Sequence, residues 1–422
     1  MRIALFIECS HAEHGGAFQQ ALSMIECLTR KNVAKHDFVV FTPLEQTRRM
    51  LLKEGIRAIR VKQGIFRVLD RLSATAVGGG ILRRLQGFGL RRLGRHLDAV
   101  LDDHGIDLVV LTETVDSALR IGDHPFMVTV LDLDHRDYPD FPEIYSNRAF
   151  ERLERPLANA LTRALAVITN SASSARRIAS LYRVDSGRII ELPFLPSLAV
   201  RRHAGGRGLT TAEEVRRKYD LPARYVFYPA SFLPFKNHLY LLEGLATLER
   251  RHGIILHAIF CGGGPPLHRA IVGRQAEALG LTERVHFLGL VPDEDIPALY
   301  EGAVALVMPA YNGPANLPPL EAVTLGCPVI CSDIPGCRKQ MGEAALYCDL
   351  DNVSSLADHL AALMRDPALL GHLREAGYRL AAEIAQIDYG ERLSPVLDRY
   401  AYTRRRWAWP EIPPITTPAD GL

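Results

Sequence analysis

Two side chains in the second half of the chain are suited to a phosphorylated sugar, and each stands where a strand pattern gives way to a helix pattern. Lys236 closes the loop 230–238 (ASFLPFKNH), ahead of a helical pattern over 239–250. A lysine at such a junction meets a diphosphate with its own charge and with the unpartnered N–H groups of the first helical turn. A lone lysine beside an asparagine is otherwise an ordinary solvated residue. Glu321 lies about one turn inside a second helical pattern, 317–325, where a carboxylate grips hydroxyls rather than attacks. Pro318 and Pro319 fall in that helix's first turn, where a missing N–H costs nothing. The spacing therefore predicts an anion and sugar-hydroxyl site at this helix N-terminus.

Glycine loops accompany both. Gly262, Gly263 and Gly264 follow the strand pattern 255–261, and Gly263 and Gly264 let a phosphate or base approach backbone N–H groups. Gly15 and Gly16 sit in a predicted loop, 9–16, between the strand 2–8 and a helix beginning at Ala17. They admit a substrate close to the backbone or make a plain tight turn. Absence of GxGxxG and of an acid for a ribose excludes the dinucleotide fingerprint. A further loop, 132–143 (DLDHRDYPDFPE), holds His135, Arg136 and four aspartates at the carboxyl end of a predicted strand. There His135 and Asp132 could position or deprotonate a hydroxyl, or cap a surface loop. The carboxylates have no regular ligand spacing, so no metal site and no cofactor are expected.

Strands must carry these loops. Short apolar runs at 2–8, 37–42, 107–112, 126–131 and 166–170 alternate with helical patterns, and Ser171 reads as a helix cap. The same alternation resumes at 225–229, 255–261, 285–288, 303–309 and 329–331, after an exposed connector, 201–208 (RRHAGGRG). The fold class is α/β, with two doubly wound Rossmann-like domains facing across a cleft. We divide the chain into 1–200, 209–390 and 391–422, the last being a terminal helix over 393–406 with an extended tail from Trp407.

Composition limits the partners. The chain has 422 residues, 48% hydrophobic and 23% charged, with a net charge of +2, so bulk charge selects no partner. Seven scattered cysteines form no CxxC pair and read as buried thiols in a reducing compartment. No apolar run reaches the length of a membrane span and no leader precedes the first strand, so a cytoplasmic location is expected. Residues 57–95 are cationic, with ten Arg or Lys against one acid, Asp70. Apolar residues interleave with these charges around Arg83, Arg84, Arg91 and Arg92, as in a flap lying on the anionic inner face of a membrane. A solvated face or a patch for an acidic acceptor has the same pattern. Only Phe66 and Phe88 could stack, which argues against nucleic acid.

Taken in order, FYPASFLPFKNHLYLLEGLATL, FCGGGPPL, VHFLGLVPDEDIPALYEGAVALVMPA, NLPPLEAVTLGCPVICSDIPG and GEAALYCD resemble the retaining nucleotide-sugar glycosyltransferases of family 4, which have the GT-B fold. The likeness runs from about residue 225 to 363, and the first half matches more loosely. It implies an acceptor-binding first domain, a nucleotide-sugar-binding second domain and no metal. By that resemblance Lys236 binds the diphosphate and Glu321 the ribose hydroxyls. Leu288 and Gly289 receive the base, and the backbone at Asn316 and Leu317 receives the sugar and the distal phosphate. Two positions depart from the pattern: Gly313 replaces the first of two paired glutamates, and Ser231 replaces an arginine. The usual His-Asp reads Leu131-Asp132, which leaves His135 as the nearest imidazole. The implied reaction moves a hexosyl group from a nucleoside-diphosphate sugar, with GDP-mannose as a trial donor, to a glycan or lipid-linked acceptor in surface polysaccharide assembly. A sugar-nucleotide epimerase or hydrolase, or a non-catalytic nucleotide-sugar-binding partner, would share these motifs.

Overall fold

The computed structural model describes residues 1–9, 11–30, 36–61, 96–113, 115–145, 148–208, 210–313 and 315–407. Among them the apolar runs form strands β1 Arg2–Phe6, β2 Asp37–Thr42, β3 Ala58–Arg60, β4 Leu108–Leu111, β5 Phe126–Val130, β6 Ala166–Thr169 and β7 Ile189–Glu191. The second half adds β8 Tyr225–Pro229, β9 His257–Cys261, β10 Val285–Gly289, β11 Ala305–Met308, β12 Val329–Ser332 and β13 Ala345–Cys348. They make two sheets, ordered β3-β2-β1-β4-β5-β6-β7 and β10-β9-β8-β11-β12-β13. Every pairing is parallel, from Arg2 beside Asp37 in the first sheet to Tyr225 beside His257 in the second. Helices cover both faces, so β4, β5, β11 and β12 are buried along their whole length.

Strand order reverses direction between β1 and β4, and again between β8 and β11. Neighbouring loops diverge at such reversals and leave a crevice at the carboxyl ends of the strands. The loops predicted to carry chemistry leave β5, β8, β9 and β11 at those ends.

A shared core joins the two sheets. One buried cluster runs from Ile3, Leu5 and Met127 of the first sheet to Val226, Phe227 and Leu306 of the second, and takes in Leu393 and Leu397 of the terminal helix. A second cluster, with Phe6, Val109 and Val128, fills the other face of the first sheet. The terminal helix Tyr389–Trp407 returns to the first sheet, where Arg392 donates to the Glu191 carbonyl at 2.9 Å and Arg404 pairs with Asp107. At its start the buried Tyr389 hydroxyl donates to the Pro193 carbonyl at 2.6 Å and accepts from Gln20 Nε2 at 3.1 Å.

Several sequence expectations are corrected. The helix after β1 spans His11–Arg30, so Gly15 and Gly16 lie within it rather than in a loop. The connector 201–208 is ordered as the helix Leu198–Arg202 and a wide turn His203–Arg207, and Arg201 ties it to Glu26 at 3.1 Å. Strands β3, β7 and β13 were not anticipated. Each is an edge strand of three or four residues, with one neighbour and incomplete burial, and so lacks a continuous apolar signal. The Ser171 cap is present, accepting from the Ser174 amide at 3.2 Å. All seven cysteines are buried and free. No described helix is long and apolar enough to cross a membrane. Beyond residue 61, the cationic segment 57–95 lies outside the described residues, as does the tail after Trp407.

Replacing Tyr389 by Phe removes a donor and leaves the Pro193 carbonyl and Gln20 short of partners in a buried place. Urea unfolding should register a loss of about 1–2 kcal/mol, and an unchanged midpoint would show that this bond adds no net stability.

Candidate functional site

The loops converge on one cavity of about 610 Å³ between the two sheets. This is the size of a pocket that encloses a ligand of nucleotide-sugar bulk. From the first lobe, Gly15, Gly16, Asp132, Asp134 and Asn170 line it. From the second come Ser231, Lys236, Gly263, Gly264, Gly313, Asn316, Leu317 and Glu321. The two residues from which the sequence argument starts thus face one space.

Lys236 ends a short 3-10 turn, Pro234–Lys236, and its backbone is fixed by the Tyr228 hydroxyl, which donates to the Lys236 carbonyl at 2.9 Å. The ammonium lies over the Phe235 ring, 4.5 Å from its centre. Partial removal from water pushes its pKa down, and the charges of Asp134 and Asp132 pull it back up. Asp134 belongs to the first lobe, so the lobes exchange charge across the cleft. Its own acid is pushed up to about 8, first by burial and then by Asp132, against the pull of Lys236 and a hydrogen bond from Asn312. Beneath the lysine, His238 stacks on Tyr228 and Phe232, and burial followed by the Lys236 charge pushes its pKa down to about 3, so it is neutral.

Glu321 is 6% exposed, one turn into the helix Leu317–Thr324. Its Oε1 accepts from the Ser197 amide at 3.3 Å and its Oε2 from the Tyr300 hydroxyl at 3.0 Å. Burial pushes its acid up to about 7, against both hydrogen bonds. The helix N-terminus itself is a poorer donor than expected. Two of its first four N–H groups are missing at Pro318 and Pro319, and the Asn316 amide already donates to Gln340 Oε1 at 2.9 Å. The Asn316 carbonyl is taken as well, accepting from Gln340 Nε2 at 2.7 Å.

Glycine 262 is needed for the loop beside them. A Cβ there would stand 2.3 Å from the Ala230 carbonyl oxygen, and φ is +149°. The two loops thereby touch, and Phe232 donates from its amide to the Gly263 carbonyl at 3.0 Å.

Some anticipated residues lie elsewhere. His135 is 3% exposed and does not line the cavity; its Nε2 bonds Glu154 Oε2 at 3.0 Å. Glu154 also takes Arg136 and the Tyr182 hydroxyl, so this imidazole anchors its loop to the helices behind it. Leu288 and Gly289 also stay out of the lining, and the neighbouring Leu290 and Val291 take that place. No cluster of three or more potential metal ligands occurs among the described residues. Ser197 and Tyr300 as partners of Glu321, and Gln340 as the clamp on Asn316, were not anticipated, since no local pattern marks any of them. Nor was an aromatic contact closing the cleft, where Phe141 of the first lobe meets Tyr311 at 5.6 Å and Phe235 at 6.3 Å between ring centres.

Residues 211–380 match the family described as Glycosyl transferases group 1. A curated relative, O-antigen chain mannosyltransferase B of Escherichia coli, is 27% identical over 228 residues, which is 53% of this chain and 58% of that protein. A second, D-inositol 3-phosphate glycosyltransferase of Nocardia farcinica, is 29% identical over 242 residues, 56% of this chain and 52% of its own length. The chain spans about half the length of the curated relatives it matches. Among solved structures, Anabaena HepE in complex with UDP-glucose superposes with a TM-score of 0.66 at 17% identity, covering 96% of this chain and all of that one. A glycosyltransferase from Rickettsia africae gives 0.66 at 15% identity, covering 95% and 98%. With sequence and shape in agreement, this chain has the GT-B fold, and its residues 211–380 match the glycosyl transferases group 1 family.

Proposed function

We propose that the chain is a retaining glycosyltransferase that moves a hexosyl group from a nucleoside-diphosphate sugar to a glycan or lipid-linked acceptor. The observation that carries this reading is the convergence of Lys236 and Glu321 on one interlobe cavity. The second lobe, within 209–390, holds the donor and the first, within 1–200, the acceptor. The mannosyltransferase among the relatives supports GDP-mannose as the first donor to try, and the HepE complex supports UDP-glucose as the second. The O-antigen role named for that relative supports surface polysaccharide assembly, at the cytoplasmic face of a membrane.

The chemistry needs no carboxylate nucleophile. The bond from the anomeric carbon to the distal phosphate oxygen breaks, and the acceptor oxygen bonds the same carbon on the same face. The acceptor's proton leaves with the diphosphate. Lys236 balances the charge that gathers on the leaving oxygens, in a cleft where a fixed cation acts more strongly than in water. Asp132 and Asp134 face the acceptor side, while His135 steadies their loop. Glu321 serves the ribose. The bare Gly313 favours a second reading, a nucleotide-sugar-binding partner without turnover, and transfer to any acceptor would exclude it.

Lys236→Ala should lower turnover on the order of a hundredfold with an unchanged melting profile. Near wild-type transfer would remove the lysine from the mechanism. A thermal-shift panel of nucleoside diphosphates and their sugars tests the reading at its root, because a ligand bound only by the folded chain raises the midpoint.

The acid of Glu321 carries a proton in the free fold up to about pH 7, whereas an unfolded glutamate loses it near 4.5. Between those values the folded state binds more protons, so this group's contribution to stability falls as pH rises. Glu321→Gln should therefore gain on the wild type between pH 5 and pH 8, by on the order of 1–3 kcal/mol. A stability difference flat across that range would contradict the assignment. Nucleoside diphosphate binding, by calorimetry, should fall in Glu321→Ala.

A further inference from the structure

Asn316 stands at the N-cap of Leu317–Thr324 with extended backbone angles, φ −131° and ψ 141°. An asparagine there ordinarily accepts, through its side-chain oxygen, from the N–H of the second or third helical residue. Those residues are Pro318 and Pro319, which have no N–H, and Asn316 makes no side-chain capping bond. The cap position therefore has no cap to make. Its main chain is committed elsewhere, since Gln340 receives the Asn316 amide at 2.9 Å and donates Nε2 to its carbonyl at 2.7 Å.

The carboxamide is left with its donor unmatched. Asn316 is 8% exposed, lines the interlobe cavity, and its buried Nδ2 has no hydrogen-bond partner among the described residues. A buried donor without a partner is costly enough to be rare in a native fold, and beside a cavity a turn of the carboxamide that brings it to the wall lets a ligand complete the bond. The neighbouring residue keeps room for it. Gly313 has φ +137°, and a Cβ on it would fall 2.2 Å from Asn316 Nδ2 and 2.7 Å from Oδ1. The carboxamide thus occupies the space where a side chain at 313, the position of the missing glutamate, would begin.

We infer that Asn316 reads the transferred sugar, its Nδ2 donating to a sugar hydroxyl oxygen in place of the absent carboxylate at 313. Gln340 is the positioning residue that holds it, and Gly313 leaves it space. The exchange turns an anionic hydrogen-bond acceptor into a neutral donor, so the sugar is selected by an oxygen that accepts a hydrogen bond. This inference rests on the transferase reading of the same cavity.

Calorimetry on the full chain tests it with GDP, UDP, GDP-mannose and UDP-glucose. In Asn316→Ala, affinity for the bare diphosphate should stay within about twofold of wild type, while the matching nucleotide sugar weakens about tenfold. Gly313→Ala keeps the asparagine but pushes its carboxamide aside, so the same split is expected. Gln340→Ala, which alters neither residue, gives a smaller split and serves if the other variants melt early. Equal losses for diphosphate and nucleotide sugar, or no loss for either, would overturn the sugar contact. Should the wild type bind none of the four compounds, the transferase reading falls with it; binding of a diphosphate without the split removes only this contact.

Discussion

A cation that is to meet a diphosphate in a narrow cleft has to be kept partly dry without losing its proton. Burial works against the Lys236 ammonium, and the first lobe supplies the opposing field through Asp134 and Asp132. The arrangement is mutual, because the same lysine holds Asp134 below the value that burial and Asp132 would otherwise impose. Each group is drawn toward its charged form by the other across the cleft, against burial. Phe141, packed on Phe235 and Tyr311, keeps the lobes together at that place and limits the access of water. An incoming diphosphate would compete with these aspartates for one ammonium.

The far end of the cavity depends on a different economy of hydrogen bonds. Glu321 sits among Ser197 and Tyr300, both donors, and remains ready to lose its proton near neutrality. Between the two ends, backbone geometry does the positioning. Gly262 lets two loops touch where any side chain would collide with the Ala230 carbonyl. The double proline at 318 and 319 removes two donors from the helix start and leaves the Asn316 side chain without a capping bond to make.

Much of the architecture was legible because parallel sheets write themselves as apolar runs. β1, β4, β5, β8 and β11 are buried on both faces, and each appears as such a run ending in a loop of glycine, asparagine or charge. The edge strands β3, β7 and β13 escaped because a half-exposed strand of three or four residues has no periodic signature. Lys236 and Glu321 could be read from their place at strand-to-helix junctions. His135 could not be placed, since the same loop offers a buried face toward Glu154 and an open one toward the cleft. Spacing cannot choose between imidazole and carboxylate there, whereas packing against Phe150 and Glu154 does. Ser197, Tyr300 and Gln340 are partners across more than twenty residues of chain, a relation that no local pattern contains.

The chain passes between the lobes twice, once after β7 and once before the terminal helix, and the Tyr389 hydroxyl joins the two passages at Pro193. Two adjacent strands of chain behave as a door hinge rather than as a tether: they permit swinging about the line through them and resist twisting or sliding. Any opening of the cleft would then be a single angular motion about that line, parting Asp134 of the first lobe from Lys236 of the second.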